Sequence, residues 1–211
     1  MIIQGFQPVL TSMRSRQANK DYPWSWLISP YHKHAVKDLK LRPYAIDNGA
    51  YTSYNKGQPF DGERYLRYLD AWGSDCLWTV IPDEVGNREE TLIQADLWIP
   101  RIEGHNLLIC LQDGMVYDDI IPFLGRIYGI FLGGSTEYKL SKACYWGEFA
   151  QKHGLYYHIG RVNTVKRIRL CIQARADSFD GTGMIRFPTE GERISKWLLN
   201  NVLKPRQISL F

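Results

Sequence analysis

Short apolar runs, none longer than eight residues, recur along the chain at intervals of about 25 residues. Runs this short, rich in β-branched and aromatic residues, are typical of strands in a parallel sheet that is covered on both faces. They lie at 24–29, 44–51, 76–83, 106–112, 127–134, 155–161 and 176–182. This spacing constrains the fold most strongly, because each interval has room for one helix between two strands.

The intervals carry apolar residues at helical spacing. Asp61 and Asn87 are predicted N-caps of two of these helices, and Gly154 is predicted to end a third. Two further helices are marked by Ile168 and Ile194 with their apolar neighbours. Repeated βα units of this size predict an α/β fold, a compact (β/α)8 TIM-like barrel. An open doubly wound sheet is the alternative, but no GxGxxG motif follows an early strand.

The composition fits one globular domain over residues 1–211. The chain has 211 residues, 45% of them hydrophobic and 23% charged, close to the ~200-residue lower limit for such a barrel. No low-complexity linker divides it. Four cysteines occur without a CxxC pair, so buried free thiols are favoured over a disulfide or a zinc site.

No run of ~18 apolar residues and no signal-peptide pattern is present, so we expect no membrane partner and a cytoplasmic location.

The net charge of +4 is unevenly distributed along the chain. Residues 1–42 and 161–211 are basic, whereas residues 43–160 are acidic. Two basic ends around an acidic middle fit a polyanion bound across an acidic catalytic centre. Solvated helix faces explain the same pattern equally well.

Polar residues end most of the predicted strands. In a parallel barrel, the carboxyl ends of all strands meet at one mouth, where active sites are built. A ring around one pocket is therefore predicted from Asp47, Asp83, Gln112, Gly134, His158 and Asp180.

A ring of acids with one His and one Gln suits two chemistries. One carboxylate can attack an anomeric carbon while a second moves a proton, with no metal and no cofactor. Alternatively, Asp47, Asp83, Glu84 and Asp180 could hold a divalent metal for hydrolysis. The histidines show no HxH or HxxxH spacing, which weakens the metal hypothesis.

The first motifs resemble those of the tRNA-guanine transglycosylase (queuine/archaeosine tRNA-ribosyltransferase) superfamily. Asp47-Asn48-Gly49-Ala50-Tyr51 is similar to the DSGGFQ element with its catalytic Asp. Asp83-Glu84 resembles the FDEC element, whose Asp reads the base edge. Gln112 is similar to the glutamine of the VQG element. Asn48 and Ala50 depart from the Ser and Gly of the family.

The remaining motifs follow in the same order as far as residue 186. Gly133 and Gly134 resemble the GGL turn, which lets the backbone approach the heterocycle. Tyr157-His158-Ile159-Gly160 resembles the YLMG segment, and Ser178-Phe179-Asp180 the MFD segment that carries the nucleophile. Arg186 falls where the family has an arginine that binds the nucleic-acid backbone.

The resemblance implies roles for these residues. Asp180 would be the nucleophile at C1′ of a guanine nucleotide, and Asp47 would move the proton of the leaving or incoming base. The base itself would be bound by Asp83, Gln112, Gly133, Gly134, His158 and Gly160, with Tyr51 and Tyr157 as stacking candidates.

Within the superfamily, three sequence segments are most similar to short phage-type relatives that place 7-deazaguanines in DNA: GGSTEYKL, HIGRVNT and ADSFDGT. After Asp180 there is no CxCxxC motif and no later His, so no zinc subdomain is expected. We therefore expect DNA rather than tRNA as the polymer and a free 7-deazaguanine as the second substrate. Phosphate contacts are expected from Arg161, Lys166, Arg169 and Arg186, and a second copy or a partner subunit is left open as a source of further contacts.

Three functional hypotheses thus remain. The first is base exchange on nucleic-acid guanine, in DNA or alternatively in tRNA. The second is a metal-dependent hydrolase or nuclease, and the third is a barrel that binds nucleic acid or a deazaguanine without turnover.

Overall fold

The computed structural model describes residues 7–11, 25–31, 43–182 and 187–203. Eight strands within these ranges, all paired in parallel, form a closed barrel in sequence order. They are β1 Gln7–Thr11, β2 Ser25–Ile28, β3 Tyr44–Ile46, β4 Thr79–Val80, β5 Leu107–Leu111, β6 Gly129–Leu132, β7 Tyr156–Ile159 and β8 Ser178–Asp180. The predicted α/β TIM-like barrel is confirmed.

Strand β1, which closes the barrel, was not among the predicted runs. It pairs with β2 through Val9 and Ser25 and with β8 through Gln7 and Ser178. Its five residues include Pro8, which lacks a backbone N–H. A short strand with a proline gives a weak local signal in the sequence. The strand is instead stabilised by pairing with β2 and β8 on its two sides.

The helices lie between the strands, as the spacing predicts. They are α1 Ala50–Asn55, α2 Gly62–Trp72, α3 Arg88–Trp98, α4 Tyr117–Ile120, α5 Thr136–His153, α6 Val165–Gln173 and α7 Pro188–Leu198. Short 3₁₀ segments at Ile99–Arg101 and Ile121–Phe123 continue α3 and α4, and a π-helical segment at Leu199–Leu203 continues α7.

The predicted helix ends are confirmed by their hydrogen bonds. The Asp61 carboxylate accepts from the Arg64 N–H at 2.9 Å, and the Asn87 side chain accepts from the Glu90 N–H at 3.1 Å. Gly154 ends α5 with a left-handed φ of 65°, which glycine adopts without a steric penalty. Local sequence thus determines where these three helices begin or end.

The core has two parts. Outside the barrel, aromatic side chains pack between strands and helices, as in the edge-to-face pair of Tyr65 and Trp98 at 6.0 Å between ring centroids. Inside the barrel, Trp78 and Leu108 are fully buried with their apolar neighbours. The barrel interior is therefore filled, and the site must lie at its carboxyl-terminal mouth.

All four cysteines are free thiols, two of them buried, Cys110 and Cys171. Among the described helices, none has the length and apolar character needed to cross a bilayer.

Candidate active site

A pocket of about 840 Å³ opens at the carboxyl ends of the strands. This size is in the range of ordinary small-molecule sites. Most of the predicted site residues line it together: Asp47, Tyr51, Asp83, Gln112, Gly133, Gly134, Gly160, Arg161 and Asp180. The barrel brings these residues together although they are distributed over more than half of the sequence.

Asp180, the last residue of β8, is fixed from two sides. Its Oδ1 accepts one hydrogen bond from His158 Nε2 and another from the Arg161 backbone N–H, both at 3.1 Å. Gly160 leaves space for the Phe131 ring and for the carboxylate, because a Cβ there would lie 2.8 Å from Phe131 Cε1 and 3.3 Å from the same oxygen. With 5% of its surface exposed, Asp180 is held in one orientation at the wall of the pocket.

A buried chain of hydrogen bonds lies behind Asp180. The Tyr156 hydroxyl donates to Ser178 Oγ at 2.8 Å, and Ser178 Oγ lies 2.7 Å from His158 Nδ1. An ionised carboxylate only accepts, so His158 Nε2 carries the proton that faces Asp180. Nδ1 then accepts from the Ser178 hydroxyl, and every polar atom of the chain is satisfied.

His158 lies behind Asp180 and does not line the pocket. Its side chain is fully buried and close to the ring of Trp78, at 4.8 Å between centroids. Burial lowers the pKa of His158, while the bond to Asp180 partly opposes that effect. The sequence predicts a direct contact between His158 and the base, and the structure corrects this prediction. The buried, neutral imidazole instead orients the Asp180 carboxylate.

Asp47 follows β3 and faces the centre of the pocket. Burial, and then the charges of Asp83 and Asp180, raise its pKa to about 7, although the Gly49 N–H bonds its Oδ2 at 3.2 Å. A carboxyl group with a pKa near neutrality can both give and take a proton at physiological pH. Asp47 therefore has the protonation behaviour of a general acid and base.

Asp83 follows β4 and accepts hydrogen bonds from two amides. Asn48 Nδ2 donates to its Oδ1 at 2.6 Å, and Gln112 Nε2 donates to its Oδ2 at 2.7 Å. Burial raises the pKa of Asp83, and these bonds, together with one from Cys110, oppose the rise. The carboxylate is thus presented to the pocket in a fixed plane.

Asn48 and Gln112 are themselves anchored. Asn48 Oδ1 accepts from the Ala50 N–H at 2.8 Å, at the start of α1. Gln112 Oε1 accepts from the Gly86 N–H at 3.0 Å. The structural role of Asn48 was not predicted, and only its departure from the serine of the DSGGFQ element marked it.

Arg161 bridges the mouth of the pocket. Its guanidinium donates to the Gly134 carbonyl and lies over the Tyr51 ring at 5.0 Å. Its backbone has a φ of 58°, in the left-handed region that a non-glycine residue rarely adopts. Such conformations persist where surrounding contacts enforce them, often at functional sites.

Three further predicted residues, Tyr157, Lys166 and Arg169, do not line the pocket. Tyr157 is 1% exposed and donates its hydroxyl to the Ala143 carbonyl of α5 at 2.9 Å, so it cannot stack on a base. Side chains alternate along β7, and Tyr157 faces outwards because Tyr156 and His158 face the barrel interior. Lys166 and Arg169 are exposed on α6 and do not line the pocket, and Arg186 lies outside the described residues.

The ligand set of the metal hypothesis is not assembled in this structure. Among the residues that the structure describes, no three His, Cys, Asp or Glu side chains are grouped so that they could hold a metal ion. Glu84 does not line the pocket, and its backbone is bonded to the Thr91 hydroxyl.

Comparisons with known proteins add little about function. No protein-family model matches the sequence, and no curated protein matches it. One solved structure that the chain matches is a candidate mandelate racemase from Mesorhizobium loti, at 15% identity and a TM-score of 0.41. The alignment covers 75% of this chain, which spans 42% of that protein's length.

Proposed function

We propose that this protein is an enzyme, a base-exchange transglycosylase that replaces guanine in nucleic acid with a 7-deazaguanine. One observation supports this most directly. Asp47, whose pKa is about 7, shares a pocket with Asp180, whose carboxylate is aimed by two N–H donors. A nucleophile that must not rotate and a neighbour that can exchange a proton are the two groups that the reaction needs.

In the first half-reaction, an oxygen of Asp180 forms a bond to C1′ of the nucleotide. The bond between C1′ and N9 breaks, its electron pair goes to the base, and the Asp47 carboxyl gives that base a proton. In the second half-reaction, Asp47 takes the proton from the incoming base, whose nitrogen attacks C1′ and releases the Asp180 carboxylate. The two steps balance without a cofactor.

Base recognition falls to the opposite side of the pocket. Asp83 accepts hydrogen bonds from N–H groups of the base, and the Gly134 N–H serves its carbonyl. Gln112 Nε2 donates to Asp83 Oδ2 and to Cys110 Sγ, so it acts by fixing the Asp83 carboxylate. A site built from such polar partners rejects bases that lack them far better than an apolar pocket does. The target nucleotide must leave its stack to reach this depth, and Tyr51, 46% exposed at the rim, can stack on it.

DNA is proposed as the preferred polymer, with tRNA as the alternative. The support is the similarity of the segments around Gly134, Gly160 and Asp180 to the short phage-type relatives.

The test is incorporation of radiolabelled guanine or a labelled 7-deazaguanine into DNA and into tRNA, measured side by side. We expect label in DNA and a covalent adduct between protein and nucleic acid that Asp180→Ala abolishes. Folded protein that incorporates no label into either polymer would sink the proposal. Activity that EDTA removes, without base exchange, would favour the hydrolase, and binding without turnover would favour the non-catalytic barrel.

A further inference from the structure

Two exposed tyrosine rings lie close together at the rim of the pocket. Tyr51 and Tyr54 are three residues apart on α1, and 46% and 57% of their surfaces are exposed. Their rings are nearly parallel, with 23° between the planes and 6.5 Å between the centroids. We name this pair the tyrosine platform. Tyrosine combines a large apolar ring with a polar hydroxyl and is enriched where proteins bind a partner.

The tyrosine platform is continuous with the pocket. Tyr51, Thr52 and Asn55 of α1 line the pocket, so this helix runs along its wall. Tyr54 lies on the same helix beside Tyr51 but does not line the pocket. A group held at Tyr54 would therefore be a neighbour of the group in the pocket.

The helix that carries the tyrosine platform is anchored by Tyr31. The Tyr31 hydroxyl and Ser53 Oγ share a hydrogen bond of 2.6 Å, which joins α1 to the segment after β2. The backbone at Gly49, just before α1, comes so close to Tyr31 that a Cβ there would lie 2.6 Å from the ring. A surface that is fixed before binding loses little conformational entropy when a ligand arrives.

Basic side chains lie around the tyrosine platform. The Arg161 guanidinium is 5.0 Å from the centre of the Tyr51 ring. Arg64 and Lys56 lie over the Tyr31 ring at 4.5 Å and 5.1 Å. All three cations are exposed, and within the described ranges none of them forms an ion pair with a carboxylate. Exposed rings combined with positive charge are typical of surfaces that bind single-stranded nucleic acid.

The spacing of the two rings indicates an extended strand. Stacked bases of a duplex follow one another at about 3.4 Å along one strand. The ring centroids are 6.5 Å apart, nearly twice that distance. Two successive bases could each stack on one ring only where their stacking on each other is lost. A strand from which the target base has left its stack meets that condition.

We infer that the tyrosine platform binds a single-stranded segment of the polymer, with Tyr54 stacking on the base next to the target nucleotide. Tyr51 stacks on the target itself, as proposed above. Because every base has a π-face, the contact at Tyr54 would not depend on which base is the neighbour. The assignment to the neighbouring base rests on the proposed function, whereas binding of a single strand by the tyrosine platform does not.

The test is a cycle between Tyr54 and the neighbouring bases of a single-stranded oligodeoxynucleotide with one guanine. One strand is intact, and two others carry an abasic nucleotide on the 5′ or on the 3′ side of the guanine. Binding to the full chain is measured by fluorescence anisotropy. We expect Tyr54→Ala to weaken binding of the intact strand about 5- to 150-fold, the range for one stacked base.

On one of the two abasic strands, Tyr54→Ala should have no effect, because the base that Tyr54 contacts is already missing. That strand also identifies the side on which the neighbour lies. Equal loss of affinity on all three strands, or no loss on the intact strand, would overturn the role of Tyr54.

Two variants control for the ring and for its position. Tyr128→Ala is the matched control, because Tyr128 is 44% exposed and precedes β6 at the opposite, amino-terminal end of the barrel. It should leave the affinity unchanged. Tyr54→Phe keeps the aromatic ring and should bind the intact strand as the wild type does. Weak binding by Tyr54→Phe would contradict stacking and assign the contact to the hydroxyl.

Salt dependence and thermal unfolding separate stacking from other causes. Tyr54→Ala removes no phosphate contact, so the slope of log affinity against log salt should equal that of the wild type. A reduced slope would mean that the substitution acts through the neighbouring cations, against the stacking role. The melting temperature should stay close to that of the wild type, because the side chain is mostly exposed.

These titrations need no turnover, so two kinds of failure can be distinguished. Base exchange without coupling between Tyr54 and a neighbouring base would leave the proposed function and remove the stacking role of Tyr54. Coupling without base exchange would remove the proposed function and leave a surface that binds single-stranded DNA.

Discussion

Asp83 on one side of the pocket is held by two side-chain amides, whereas Asp180 on the other side is held by one imidazole and one backbone N–H. The amides come from the loops after β3 and β5 and present both oxygens of Asp83 in a fixed plane. The Asp180 contacts both fall on Oδ1, which leaves Oδ2 without a bond from these two donors. Two carboxylates in one pocket are therefore held in different ways, which agrees with the proposed roles of Asp83 in recognition and Asp180 in attack.

The largest expected effect follows from replacing Asp180. Asp180→Asn keeps the shape but removes the nucleophilic oxygen anion, so base exchange should fall by at least about 10³-fold and the covalent adduct should disappear. Asp70→Asn, an exposed change on α2, is the control and should leave the rate unaltered. If base exchange survives in Asp180→Asn, the nucleophile must be a residue on the opposite side of the pocket.

Asp47 is influenced by the charges of both Asp83 and Asp180, and its effect should appear in the pH dependence of stability. Its folded pKa of about 7 is raised above the unfolded value of 3.8, so the native state binds an extra proton between these values. Wild-type stability should therefore fall as pH rises from about 4 to 7, and Asp47→Asn should lack this loss. Urea denaturation should show the variant gaining on the order of 2–4 kcal/mol relative to wild type between pH 4 and pH 8.

Asp70→Asn again serves as the control for that pH profile. Parallel stability curves for Asp47→Asn and wild type would mean that Asp47 titrates normally, and the proton-transfer role would lose its support.

The buried chain behind Asp180 can be broken at its middle. Ser178→Ala leaves the Tyr156 hydroxyl and His158 Nδ1 without a partner, and should lower the free energy of unfolding by about 1–3 kcal/mol. Nitrogen NMR of wild type should show His158 as the neutral tautomer with the proton on Nε2. In a double-mutant cycle, Tyr156→Phe should couple to Ser178→Ala by at least about 0.5 kcal/mol. Strict additivity would show that the chain does not act as a unit.

The smallest effect is expected on the recognition side. Asn48→Ser, which introduces the serine of the DSGGFQ element, shortens the side chain that donates to Asp83 and to the Ile81 carbonyl. We expect a loss of about 1–2 kcal/mol in stability and weaker base binding, because Asp83 loses one of the two amides that fix its plane. An unchanged Michaelis constant for the free base would separate Asn48 from recognition.

Much of the fold could be predicted because its signals are local. The caps at Asp61 and Asn87 and the αL residue Gly154 each act through hydrogen bonds within one turn of their own helix. Strand β1 could not be predicted in this way, because its pairing with β2 and β8 depends on barrel closure.

The acidic residues of the candidate site could be predicted from the sequence. The residues that hold their carboxylates in place could not. Asp47 and Asp83 follow strands and Asp180 ends one, and the barrel topology brings the three together. Side chains alternate between the two faces of β7, so only one of Tyr157 and His158 can face the barrel interior. Gly160 lines the pocket, and the residue two positions before it is His158.

The loop after β7 packs closely against the end of β8. A Cβ at Gly181 would collide with the Val162 carbonyl, and the Val162 N–H is bonded to the Asp180 carbonyl at 2.6 Å. The bare backbone at 181 thus sets how closely the loop that carries Arg161 can approach the end of β8. A methyl group added at residue 181 would push this loop away from β8. Related chains with the same chemistry should therefore keep glycine at this position more strictly than they keep their surface charges.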